Sequence, residues 1–256
     1  MDADVACSIA LGIVVLMLSV AYLVRVARLG RAHHPRVEAE GHSALLAKDV
    51  MEMLCWAAQP IVAACARLRI TPDGVTYASL VLGIGAGVAL GAGHFGVASL
   101  LAVAAASGDA VDGLLARRLG VSSVAGEVLD AAIDRYVDFA LLAGLAYYFR
   151  ERPPQLIIAL LALLAAFMVS YSSAKAEALH VEPPRGSMRR VERAVLVVGS
   201  AWLTPLAGLL SDEWRELPLL AALATIALLG NGSAIQRLAS IRSSVRQRPA
   251  ATTPAE

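Results

Sequence analysis

GDAVDGLLARRLGVSSVAGEVLDAAIDRY, residues 108–136, lies between two apolar runs and carries four aspartates, Asp109, Asp112, Asp130 and Asp134. The three-residue step from Asp109 to Asp112 and the four-residue step from Asp130 to Asp134 each put two carboxylates on one face of a helix. The polar segment from Arg117 to Gly126 separates the two helices. Both flanks, about Phe95–Leu115 and Val128–Phe149, have membrane-spanning length, since a helical span takes about 20 mostly apolar residues. The four carboxylates therefore sit at the ends of two neighbouring spans. At bilayer depth each costs about 2.5–3.5 kcal/mol on insertion scales and needs a partner.

Composition agrees with a membrane protein. Of the 256 residues, 58% are apolar and 17% charged, with a mean hydropathy of +0.65. A soluble domain is about 45–50% apolar and about 25% charged. This excludes a disordered chain, a collagen-like fibre and most water-soluble enzymes. A net charge of +1 gives no bulk attraction to nucleic acid, so none is expected as a partner. Cys7, Cys55 and Cys65 lack metal-finger spacing and read as small buried hydrophobes.

Outward from the quoted segment, further spans are expected at about Val75–Gly93, Leu156–Ala174, Ala194–Leu210 and Leu217–Gln236. An N-terminal span at about Cys7–Val24 follows Asp2 and Asp4 rather than a basic stretch, so it reads as a retained anchor, not a cleaved signal. Residues from about Ser43 to Arg67, with Pro60, mix charged and apolar positions as an interfacial helix does. The expected fold is all-α and polytopic: a six-helix transmembrane core at 71–241, an anchor at 1–25, a linker and interfacial helix at 26–70, and a disordered tail at 242–256. Among the 22 Lys and Arg, all but Arg150, Arg152, Arg215 and the intrahelical Arg135 fall on one side once the loop after the anchor is placed in the cytoplasm. That bias predicts an N-terminus outside and a C-terminus in the cytoplasm.

Charge alone leaves three readings of the aspartates open: a divalent-metal site, salt bridges to Arg117, Arg118 and Arg135, or the proton path of a transporter. Oxygen-only ligands favour Mg²⁺ or Mn²⁺ over zinc. The small residues Gly113, Ala116 and Gly126 leave room for a ligand or a second backbone beside the carboxylates. Thr71 with Pro72 offers a helix start.

Taken together, Asp109-x2-Asp112-Gly113-x2-Ala116-Arg117-x8-Gly126-x3-Asp130-x3-Asp134 resembles the signature of the CDP-alcohol phosphatidyltransferase family, without departure in residue or spacing. The likeness extends over about Thr71 to Arg242. It implies an enzyme of phospholipid biosynthesis in the cytoplasmic membrane, with its active site facing the cytoplasm. The enzyme would move a phosphatidyl group from CDP-diacylglycerol to an alcohol and release CMP. It further implies two divalent cations, Mg²⁺ or Mn²⁺, on Asp109, Asp112, Asp130 and Asp134, with Asp134 also acting as general base. Thr71, Asp109, Asp112, Gly113, Ala116, Arg117 and Gly126 would bind the CDP donor. Thr71-Pro72-Asp73-Gly74-Val75-Thr76 resembles the family's Thr-Pro-Asn-x-x-Thr element, with Asp in place of Asn at 73.

Lys175, Arg193 and Arg237 resemble the surroundings of the acceptor-phosphate pocket in prokaryotic phosphatidylinositol-phosphate synthases. A phosphorylated polyol is therefore the expected acceptor, inositol phosphate ahead of glycerol 3-phosphate. Arg185, Arg189 and Arg242 read instead as positive-inside anchoring. Asp138 either joins the cluster or forms a salt bridge. Many family members are homodimers, and a homodimer is the expectation here.

Overall fold

A computed structural model of the chain describes residues 2–30, 48–181 and 188–247, and all regular structure among them is helical. The helices are α1 (Ala3–Leu29), α2 (Lys48–Arg67), α3 (Pro72–Gly91), α4 (Phe95–Leu119), α5 (Val124–Tyr148), α6 (Pro153–Ala178) and α7 (Arg190–Gly208). A short 3₁₀ turn at Asp212–Trp214 leads into α8 (Leu217–Thr225), which continues through a π-turn at Ile226–Gly230 into α9 (Asn231–Arg246). The linker at 31–47, including Ser43, lies outside the described residues, as do Arg185, Gly186 and the tail from 248. Arg242 to Arg246, expected as disordered tail, continue α9. Ile241 is buried there, and Arg246 in the last turn suits the negative end of the helix dipole.

Local chemistry sets the helix ends. Thr71 caps α3: its Oγ1 accepts from the Gly74 N–H at 3.2 Å, with Pro72 at the first helical position. Ser123 caps α5 in the same way, accepting from the Gly126 N–H at 3.1 Å. Gly120 closes α4 with φ +68°, a left-handed conformation that favours glycine.

Among the described residues, five stretches are long and apolar enough to cross a membrane: α1, α3, α4, α6 and the α8–α9 run. The remaining expected spans, α5 and α7, carry the charges. Those charges meet inside the bundle: Arg190 Nη2 lies 2.5 Å from Asp134 Oδ1, and Arg193 Nη2 lies 2.5 Å from Asp138 Oδ2. Pairing across elements makes two otherwise poor spans compatible with the bundle.

Small residues bring the helices close. The main core is rich in buried alanine, including Ala86, Ala98, Ala102, Ala159, Ala162 and Ala165. The α3–α5 contact is close enough to exclude a side chain at two glycines. A Cβ on Gly87 would strike the Ala140 carbonyl, and one on Gly144 would strike the Gly87 carbonyl. That contact fixes α5, and with it Asp130 and Asp134, against α3. At the end remote from the aspartates, Arg152 donates to Glu216 at 2.5 and 2.9 Å and Tyr148 donates at 2.6 Å, tying α5, the start of α6 and the start of α8 together.

The N-terminal helix is docked, not a loose anchor. Asp4 is buried, and its Oδ1 accepts from the Val97 N–H at 3.1 Å, capping α4 from outside the helix. Trp202 Nε1 of α7 donates to the Ser8 carbonyl at 2.7 Å, and Tyr22 donates to Glu52 of α2 at 3.1 Å. In turn α2 lays Ala58 and Val62 against Val111 and Leu115 of α4, beside Asp112. Cys7, Cys55 and Cys65 are half-buried, less enclosed than expected, because α1 and α2 lie at the bundle's edge. Asp4→Ala leaves the Val97 amide without its cap, a loss of about 1 kcal/mol. A melting temperature lower by about 2–4 °C in detergent is expected, and an unchanged melting curve would refute the cap.

Candidate active site

The aspartates gather where the C-terminal half of α4 meets the N-terminal half of α5. One carboxylate oxygen from each of Asp109, Asp130 and Asp134 lies within 4.8 Å of the others. Asp112 stands beside this trio: it is buried and accepts a 2.6 Å hydrogen bond from Thr76 Oγ1 of α3. The same cavity is lined by Ser79, Asp138 and Arg190. The oxygen-only donor set and the spacing of the trio fit hard divalent cations such as Mg²⁺ or Mn²⁺.

Arg190, read from sequence only as part of a basic stretch and not among the expected site residues, proves to be one. The sequence placed it in a loop before the fifth core helix, yet α7 begins at Arg190, so both Arg190 and Arg193 occupy its first turn. Its Nη1 lies 3.0 Å from Asp109 Oδ2 and its Nη2 contacts Asp134. The salt bridges to the trio come from here. Arg117 and Arg118, proposed as alternative partners, are exposed. Two cations at the positive end of a helix dipole are locally unfavourable. Glu192 offsets them by accepting from the Arg189 N–H at 3.0 Å, and Asp109, Asp134 and Asp138 do so across the bundle. That local conflict, a basic helix start, was the available signal.

A second cavity adjoins the first. It is lined by Arg135, Arg189, Arg193 and Arg237, by Ser170 and Ser173 of α6, and by Asp134 and Arg190, which face both cavities. Two of these guanidiniums are held by hydrogen bonds. Arg193 is 2% exposed, donates to the Met188 carbonyl at 2.9 Å and to Asp138, and keeps its Nε without a hydrogen-bond partner. Arg237 Nη1 donates to Ser173 Oγ at 2.9 Å. Asp138 thus forms a salt bridge and does not join the trio.

Several expected residues lie elsewhere. Lys175 is exposed and lines neither cavity; it is two residues past Ser173, about 200° around α6. Arg189, read as anchoring, lines the basic cavity instead. Thr71 spends its hydroxyl on the α3 cap, and the Gly126 N–H is bonded to Ser123. Arg117 is exposed, Gly113 directly follows Asp112 and Ala116 lies one turn beyond it, both half-buried; none of these lines either cavity.

Comparison with known proteins returns one family. The family model described as CDP-alcohol phosphatidyltransferase matches residues 69–229. The phosphatidylinositol phosphate synthase of Cutibacterium acnes is 30% identical over 188 residues, spanning 72% of this chain and 91% of that protein. The Mycobacteroides abscessus protein of the same name is 29% identical over 206 residues, 79% of this chain and 90% of that one. Among solved structures, Mycobacterium tuberculosis phosphatidylinositol phosphate synthase with manganese and citrate superposes with a TM-score of 0.67 at 24% identity, covering 78% of this chain and 93% of that one. Its form with CDP-DAG bound gives 0.66 at 24% identity, covering 78% and 98%.

Proposed function

The chain belongs to the CDP-alcohol phosphatidyltransferase family, and on that premise we propose that it transfers the phosphatidyl group of CDP-diacylglycerol to a hydroxyl of inositol phosphate. The observation that carries this reading is the shared wall: an aspartate trio and an arginine-lined cavity adjoin, with Asp134 and Arg190 facing both. One side suits a metal-bound diphosphate and the other a phosphomonoester. The names of the relatives support inositol phosphate as acceptor.

Asp109, Asp112, Asp130 and Asp134 would hold two Mg²⁺ or Mn²⁺ ions, whose charge would neutralise the donor diphosphate and the departing CMP. The rest falls to side chains. Arg193 and Arg237 hold the acceptor phosphate, which brings a ring hydroxyl to the Asp134 side of the wall. The hydroxyl oxygen bonds to the phosphorus bearing diacylglycerol, the anhydride P–O bond breaks, CMP leaves with the bridging oxygen, and the hydroxyl proton passes to Asp134. Thr71, Gly113, Ala116, Arg117 and Gly126 belong to the cytidine end of the donor site in this reading. None of them lines the aspartate cavity itself. Lys175, exposed on α6, attracts the acceptor anion from outside the pocket.

The aspartates lie at the end where basic residues concentrate, which supports a cytoplasm-facing site in the cytoplasmic membrane. A homodimer completes the reading and is tested by the mass of the detergent-solubilised particle.

The deciding assay offers purified protein CDP-diacylglycerol with Mn²⁺ and, in parallel, inositol 1-phosphate, glycerol 3-phosphate, inositol and serine. Phosphatidylinositol phosphate with stoichiometric CMP is the expected product. Phosphatidylglycerophosphate instead would overturn the acceptor but leave the family reaction standing. Thr76→Val is expected to weaken Mn²⁺ binding about 10-fold, because outer partners of metal ligands carry effects of that order. Unchanged Mn²⁺ affinity would remove the link between Thr76 and Asp112.

A further inference from the structure

We infer that Arg190 couples the two cavities: it is a cation that the aspartate trio and an anion in the arginine-lined cavity share, so that divalent metal and acceptor phosphate bind cooperatively. The inference rests on the proposed reading of the two cavities as metal and phosphomonoester sites.

Arg190 contacts Asp109 at 3.0 Å and Asp134 at 2.5 Å, two of the three carboxylates whose oxygens converge. A guanidinium and a divalent cation cannot both use those oxygens without strong like-charge repulsion. Arg190 therefore competes with metal. It is also one of the residues lining the basic cavity, where it and four further arginines, Arg135, Arg189, Arg193 and Arg237, outnumber the nearby carboxylates Asp134, Asp138 and Glu192. Swung off the trio, Arg190 would add to that positive cluster, which is unfavourable while the cluster lacks an anion.

A phosphomonoester there reverses the balance, since it offers the displaced guanidinium a bidentate partner. Metal arrival and anion arrival each lower the free energy for the other. Thermodynamic reciprocity requires the two factors to be equal. Arg190 can serve this role where its neighbours cannot. Arg193 is held by Asp138 and the Met188 carbonyl, whereas Arg190 sits at the border and its side chain is 29% exposed.

The test measures Mn²⁺ binding to the full-length protein in detergent by the loss of the free-ion EPR signal. Titrations are run alone, with saturating inositol 1-phosphate and, in a separate arm, with glycerol 3-phosphate. In the unaltered protein, one of these phosphomonoesters tightens Mn²⁺ binding by about fivefold or more. Free phosphomonoester also chelates Mn²⁺ and lowers the free-ion signal, so each titration is corrected by a protein-free titration at the same phosphomonoester concentration. In R190Q, Mn²⁺ alone binds more tightly than in the unaltered protein, and the coupling falls below about twofold. R190K, which keeps one charge but not the bidentate bridge, supplies the same reading at an intermediate value should R190Q fail to fold.

Direct attraction between metal and phosphate would also produce coupling, but it would survive both substitutions. Coupling retained at its full value in the variants overturns the role of Arg190 and leaves the transferase reading intact. Absence of coupling while both ligands bind does the same. Failure of Mn²⁺ to bind overturns the proposed metal site, failure of both phosphomonoesters to bind overturns the proposed acceptor, and either takes this inference with it.

Discussion

Asp134→Asn is expected to lower CMP release by about 10²–10⁴-fold, the range that a positioned general base commands. The substitution preserves shape and removes two things at once: a proton acceptor at the shared wall and one anionic ligand of the trio. The fold should survive. Three carboxylates crowd around a single guanidinium there, and Arg190 keeps its 3.0 Å contact with Asp109 when Asp134 is neutral. The assay pairs CMP release with a melting curve on the same preparation. Turnover within 10-fold of the unaltered protein would remove Asp134 from the chemistry, while a collapsed melting curve would make it a structural residue first.

Arg193→Ala carries the second large effect, and it acts on two observables. Asp138 is left as a buried charge without its partner, a loss of about 3–5 kcal/mol, so the melting temperature should fall by roughly 10 °C. The acceptor KM should rise about 10- to 100-fold, the worth of a hydrogen bond to a charged group, with the donor KM much less affected. The double variant Arg193→Met with Asp138→Leu separates these effects. Replacing both members of a buried ion pair by apolar groups of similar volume is often neutral or stabilising, so the melting temperature should recover. The acceptor KM should not. If both parameters recover together, Arg193 serves only the fold.

The aspartate signature and the apolar runs were legible because both obey local rules: helical spacing and span length. Thr71 with Pro72 declares a helix start through local chemistry that the sequence displays directly, whereas the equivalent cap at Ser123 emerged only from the structure. Arg190 was not legible as a site residue because its partners, Asp109 and Asp134, lie far away in the chain and its apparent setting was a charged loop. The basic first turn of α7 is compensated by Glu192 within it and by carboxylates on α4 and α5. Lys175 erred the other way. It sits in a promising local sequence, but the face of α6 that meets the basic cavity carries Ser170 and Ser173, and only three-dimensional placement fixes that face.

The docking of α1 has a bearing on how the protein is made. Asp4 caps the start of α4 through Val97, a residue 93 positions later in the chain. At about 5–20 residues per second, ribosomes take roughly 5–20 s to cover that distance. During that interval α1 waits in the bilayer with the eventual partner of its carboxylate still unsynthesised. Biogenesis therefore cannot run as a simple succession of neighbouring helices zipped together in order. An early helix must stay mobile in the lipid and return to clasp a later one, so a translocation machinery that releases α1 sideways without hindering its diffusion is part of what this architecture demands.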